Sequence, residues 1–124
     1  MSNKQELFSH AASILPVKNI EESIRFYTEK LDFKLNFTWN DPIDYAVLKR
    51  GEVNIHLSKR KDNPDPDSMY SSIYIFVHDA EMVYNELKNK EVSILSPLSE
   101  TDYGMKEFDI KDTEGYVLSF GEGV

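Results

Sequence analysis

At 124 residues the chain has the size of one compact domain, and with no cysteine it offers neither a disulfide framework nor a thiolate nucleophile or soft-metal cluster. Its net charge of −8 is uneven: through residue 60 nine Lys and Arg face eight Asp and Glu, and beyond it five face fourteen. Such a surface repels phosphate backbones, which argues against nucleic acid and suits a cationic ligand.

The start, Met1 to Glu6, lacks the apolar core of a signal peptide, and no stretch approaches the ~20 apolar residues of a membrane span. A soluble cytoplasmic protein is expected. Residues 1–10 form a polar arm with Leu7 and Phe8 as its only large apolar side chains, either loose or lying across a neighbouring subunit. Ile14 to Asn19 reads as a strand running into an N-cap. Ile20, Ile24, Tyr27 and Leu31 then recur at helical spacing, with Asn19 placed to cap the amide of Glu22. The helix is expected to stop near Leu31 and Asp32.

Phe33, Leu35, Phe37 and Trp39 alternate with Lys34, Asn36 and Thr38, which marks a strand with one apolar and one wetter face. Asn40-Asp41-Pro42 is a turn, and Tyr45 to Lys49 with Glu52 to Ser58 make a hairpin around Arg50-Gly51. A polar, proline-broken linker covers residues 59–71. The pattern then repeats at an offset of about sixty residues: Ile73 to Val77 is a strand, Asp79 a cap, and Ala80, Val83, Tyr84 and Leu87 a helical stripe. Val92 to Leu95 is expected as a short strand, Ser96 to Tyr103 as a loop, and Met105 to Ile110 pairs with Tyr116 to Phe120 across a turn containing Asp112, Glu114 and Gly115. Gly121-Glu122-Gly123 reads as a frayed terminus, because no helix comes after it to make it a phosphate loop. The fold class is therefore α+β, one domain over residues 11–124 built from two βαβββ modules, about 11–58 and 72–121.

Leu15-Pro16-Val17-Lys18-Asn19-Ile20-Glu21-Glu22-Ser23, Phe26-Tyr27, Leu31-Asp32-Phe33, Gly51-Glu52-Val53, His56-Leu57 and the segments Tyr103 to Phe108 and Asp109 to Tyr116 stand in an order and spacing that resemble the vicinal oxygen chelate superfamily. That superfamily includes glyoxalase I, extradiol dioxygenases and bleomycin resistance proteins, and the resemblance covers about residues 10–122. It implies strands curled into an open cup with helices outside, often completed by a second subunit as a homodimer. The chain departs from the pattern at Asp32, where relatives often carry glycine, and at Thr113, where they often carry proline.

In catalytic relatives four strands each supply one His or Glu to a divalent ion, and the resemblance locates those places at Ala12, His56, Ser72 and Ser119. Alanine has no donor atom and serine hydroxyls are poor ligands beside imidazole or carboxylate, so no metal and no cofactor are expected. His56 stands as a hydrogen-bonding wall residue, with a general base as the sharper alternative. His78 is a surface turn residue, and Met105 either an adaptable ligand contact or a strand-end core residue.

If the ligand-equivalent positions face inward, alternation places Ala12, Ile14, Asn54, His56, Ser58, Ser72, Tyr74, Phe76, Val117 and Ser119 on the cup wall. Phe37, Trp39, Tyr45 and Tyr103 lie at its mouth, with Asp41, Asp44, Asp102 and Glu107 near the rim. The segment Gly104-Met105-Lys106-Glu107-Phe108 and the acidic chain look most like the bleomycin resistance branch. The resemblance thus implies a non-enzymatic dimer that sequesters a planar cationic small molecule, a bleomycin-type antibiotic being one candidate. Its contacts would be Phe37, Trp39, Tyr45, His56, Ser72, Tyr74, Phe76, Tyr103, Met105, Glu107 and Ser119. Two alternatives stand beside it: a metal-dependent enzyme using His56 with His10 or Glu107, and an interaction module whose cup is vestigial.

Overall fold

The computed structural model describes residues 6–60 and 72–123. The polar linker falls mostly outside them, as do the first five residues of the arm. Strand β1 (Ser13–Val17) leads into helix α1 (Ile20–Arg25), which runs on as a π-helical turn over Phe26–Lys30. Strands β2 (Lys34–Trp39), β3 (Tyr45–Arg50) and β4 (Val53–Lys59) complete the first module. The second holds β5 (Ile73–Phe76), α2 (Ala80–Asn89), β6 (Ile94–Glu100), β7 (Met105–Lys111) and β8 (Val117–Gly123).

Both helices start where the sequence places their caps. Asn19 accepts from the amide of Glu22 at 3.1 Å and Asp79 from that of Met82 at 3.0 Å, each satisfying a donor of the first turn. Both helices also end on a non-glycine residue of positive φ, Asp32 (58°) and Glu91 (61°), so the repeat extends to the backbone.

Each module closes one four-stranded sheet, ordered β1-β4-β3-β2 and β5-β8-β7-β6, with the first pair of each parallel. Two expectations need correction. Residues 96–100 belong to β6 rather than to a loop, held to β7 through Ser99 and Glu100 despite two irregularities in register. Gly121 to Gly123 are not frayed: they pair with Glu107 to Met105, and Glu122 accepts from the amide of Ala80, adding a second cap to α2.

The helix-side faces of the two sheets do not make two cores. Leu15, Val17, Leu48, Ile55 and Leu57 from the first join Ile75, Phe108, Ile110, Leu118 and Phe120 from the second in one buried cluster. A fifty-residue module buries too little apolar surface to stand alone, and the shared core answers that need. Polar ties cross the seam as well: Glu114 accepts from the amides of Lys18 and Asn19, Tyr116 donates to the carbonyl of Pro16, and Arg50 donates two bonds to Glu86.

Candidate functional site

Since the helix-side faces share one core, the opposite faces of the two sheets lie outside it, one on each module. Side chains alternate across a strand, so the residues that resemblance assigned to one cup are divided within a single chain.

The first sheet's outer face carries Ile14 on β1, Phe37 and Trp39 on β2, Tyr45 on β3 and His56 on β4; the register sets Ile14 beside His56 and Trp39 beside Tyr45. Phe37, Trp39 and Ile14 are half exposed, at 50%, 57% and 57%. The Phe37 and Trp39 ring centroids are 6.1 Å apart, a tilted pair. Tyr45 and His56 meet edge to face, with a 2.7 Å hydrogen bond between the phenol oxygen and Nδ1. An open depression of about 570 Å³ lies among Phe37, Trp39, Asn40, Asp44, Tyr45 and Lys59.

The second sheet's outer face is built around Glu107. Tyr74 on β5 donates to Glu107 Oε2 at 2.6 Å, and Tyr103 in the loop before β7 donates to Oε1. Both phenols have their pKa raised, Tyr74 by partial desolvation and the carboxylate, Tyr103 by its bond to that carboxylate. Tyr74 reaches Glu107 only because its ring lies across β8 at Gly121: a Cβ there would sit 1.9 Å from the phenol oxygen. Next along β7, Asp109 accepts from Ser119 at 2.6 Å, which holds that buried hydroxyl. Phe76 stacks at a tilt on Tyr74, 5.0 Å between centroids, and is 75% exposed. Met105 is half-buried on the same strand phase as Glu107 and Asp109, and Ser72 is exposed just before β5.

Gly121 and Asp109 escaped sequence reasoning. Asp109 could have been found, since it comes after Met105 and Glu107 at a spacing of two. Gly121 could not, because its role depends on which strand lies beside β8. His78 is exposed, and His10, on the arm, hydrogen-bonds Ser9.

The donor set does not fit the divalent ion of catalytic relatives. Ala12 has no ligating atom, Ser119 is committed to Asp109, Ser72 offers only a neutral hydroxyl, and one imidazole, His56, does not make a site. His10 and Glu107 do not repair this, for one lies on the arm and the other stands on the second sheet, gripped by Tyr74 and Tyr103.

Paired βαβββ modules, each closing on its own four-stranded sheet, define a class of small α+β proteins. The chain belongs to the glyoxalase/bleomycin resistance protein/dioxygenase superfamily, whose family model matches residues 7–120. Among solved structures, TioX from Micromonospora sp. ML1 is 15% identical with a TM-score of 0.79, over 94% of this chain and 100% of that one. The bleomycin-binding protein of bleomycin-producing Streptomyces verticillus, solved with copper(II)-bleomycin, is 22% identical with a TM-score of 0.74, over 97% and 100%. TnmS3, an antibiotic-binding protein from Streptomyces sp. CB03234, is 16% identical with a TM-score of 0.76, over 97% and 100%. At these identities the likeness is one of fold. No curated protein sequence matches significantly.

Proposed function

We propose that this protein binds and sequesters a planar, positively charged small molecule between the first sheet of one copy and the second sheet of another, without breaking a bond in it. The observation that carries the reading is the pair of divided outer faces. One presents Phe37 and Trp39, the other Tyr74 and Phe76 beside a carboxylate fixed by two phenols, and the two stand on separate sheets. Monomers rarely leave contiguous aromatic surface to water, and a second copy turned to match would close both faces into two equivalent cups.

A flat conjugated ligand in such a cup gains stacking of ~0.5–1.5 kcal/mol per aromatic pair beyond its buried area. Glu107 supplies the counter-charge. Because its oxygens are already oriented by Tyr74 and Tyr103, little ordering cost remains when a cation arrives. His56 and Tyr45 form a hydrogen-bonding wall, and Ser72, Met105 and Ser119 line the rest. The antibiotic-binding proteins of similar fold support the ligand class.

Calorimetric titration with metal-free and copper-bound bleomycin, beside sedimentation equilibrium, tests the reading. A dimer binding one ligand per cup, weakened by Glu107→Gln and by Trp39→Ala, is the expected result. A monomer at micromolar concentration, no heat with either form, or a stoichiometric bound metal accompanied by turnover would overturn it.

A further inference from the structure

Besides the outer faces, the molecule has a cleft of about 560 Å³ on the seam between the modules, and the internal repeat shows what it lacks. Asn19 and Asp79 are equivalent caps, so Pro16 corresponds to Phe76 and Tyr27 to Leu87. Leu57 pairs with Leu15 as Phe120 pairs with Ile75, so, four residues before each, Val53 at the start of β4 corresponds to Tyr116 just before β8. Their cross-strand partners are Arg50 and Asp112.

On one side of the seam this constellation is filled. The Tyr116 ring is buried, with its hydroxyl donating to the Pro16 carbonyl at 2.6 Å, and the Tyr27 ring is fully buried, with its hydroxyl on Asp112 at 2.7 Å. On the other side, valine and leucine stand where the two tyrosines would be. The cleft opens there, lined by Val53, Phe76 and Leu87 together with Leu31, Phe33 and Ile75.

We infer that this cleft is a binding site for a neutral single-ring phenol carrying an apolar para substituent. The ring takes the place that Tyr116 fills in the other half, the hydroxyl donates to the Phe76 carbonyl, and the para substituent points to Val53, where Tyr116 has its own Cβ, with Leu31, Phe33 and Leu87 lining the cleft around it. Three observations select this chemistry. Phe76, like Pro16, sits on an edge strand with its peptide groups turned away from the ladder, since it is the neighbouring Val77 that donates to Gly121. The walls are apolar, which favours an uncharged guest. The guanidinium at the edge, Arg50, is held by two bonds to Glu86, and Glu52 and Asp79 beside it are carboxylates, so the edge offers an anion no free guanidinium. This site meets the second outer face only at Phe76, whose ring stacks on Tyr74 while the phenol uses its carbonyl, and it stands or falls independently of the proposed cup.

The test is titration of the full chain with 4-ethylphenol, read by two-dimensional amide NMR. Shifts centred on Val53, Val77 and Leu87 are expected, with the methyl ether 4-ethylanisole, which cannot donate, binding roughly fivefold more weakly, the worth of a ~1 kcal/mol hydrogen bond. Val53→Tyr, which supplies the missing phenol from the chain itself, is expected to melt no lower than the parent and to lose 4-ethylphenol binding. No binding, or shifts confined to the faces of Trp39 and Tyr74, would overturn the site on the parent protein alone. Equal affinity for the ether would remove the Phe76 hydrogen bond, and a folded Val53→Tyr that binds as the parent does would remove the cleft.

Discussion

Tyr27 and Asp112 lie 85 residues apart in the chain and 2.7 Å apart in the fold, and the hydrogen bond between them is closed to solvent. It joins the first helix of one module to the last turn of the other. Asp112 Oδ1 meanwhile accepts from the amides of Glu114 and Tyr116, so one carboxyl both shapes its own turn and locks the seam.

Tyr27→Phe removes the hydroxyl that donates to Asp112 Oδ2 while leaving the ring in place. An unsatisfied buried acceptor costs about 1–3 kcal/mol, and urea unfolding is expected to show a loss in that range with an unchanged slope. A loss confined to a few tenths would mean that the seam does not depend on this bond.

Burial raises the Asp112 carboxyl above its usual range, against the opposing pull of Tyr27 and the two amides. A carboxyl whose folded pKa exceeds its unfolded value of ~3.9 weighs on stability while charged, and is relieved as pH falls through the folded value. Acidification from neutral towards pH ~4 is therefore expected to improve the parent relative to Asp112→Asn, read from the two denaturation midpoints.

Glu86 has the opposite sign. Its bonds to Arg50 hold its carboxyl below the usual range, so its contribution is present above the unfolded value of ~4.3 and fades as pH drops through the folded one. Because both partners are about one-third exposed, the pair contributes only ~0.5–1 kcal/mol. Glu86→Gln is expected to melt slightly lower than the parent at neutral pH and together with it in acid.

Gly121→Ala puts a methyl group where the Tyr74 phenol lies and is expected to push that ring off Glu107. The raised ionisation of Tyr74 then returns towards the ordinary tyrosine range, visible in an ultraviolet pH titration against the parent. Retention of the raised value would show that the ring reaches Glu107 by another route.

Trp39 is the chain's single tryptophan and 57% exposed, so its emission reports on one face alone. If a second copy covers that face, raising protein concentration shifts the emission to the blue and reduces acrylamide quenching. An emission independent of concentration over the range in which sedimentation shows self-association would place the interface elsewhere.

The elements were legible because each is announced locally. Asn19 and Asp79 cap the two helices as their sequence positions suggest, and the alternation of Tyr45 to Lys49 against Val53 to Leu57 carried over into β3 and β4. β6 was missed beyond Leu95 because Pro97 and two breaks in register disguise its period, and pairing with β7 prevails over that local signal.

The buried residues Leu15, Val17, Ile55, Ile75, Leu118 and Phe120 alternate along their strands with Ile14, His56, Tyr74 and Ser119, because side-chain direction follows from backbone geometry alone. That the buried residues of both sheets merge into one core, leaving the aromatic faces on separate sheets outside it, is decided only by tertiary packing. So are the passage of Tyr74 over Gly121 and the open cleft at Val53, since which side chains meet across a seam depends on burial summed over both modules rather than on any local pattern.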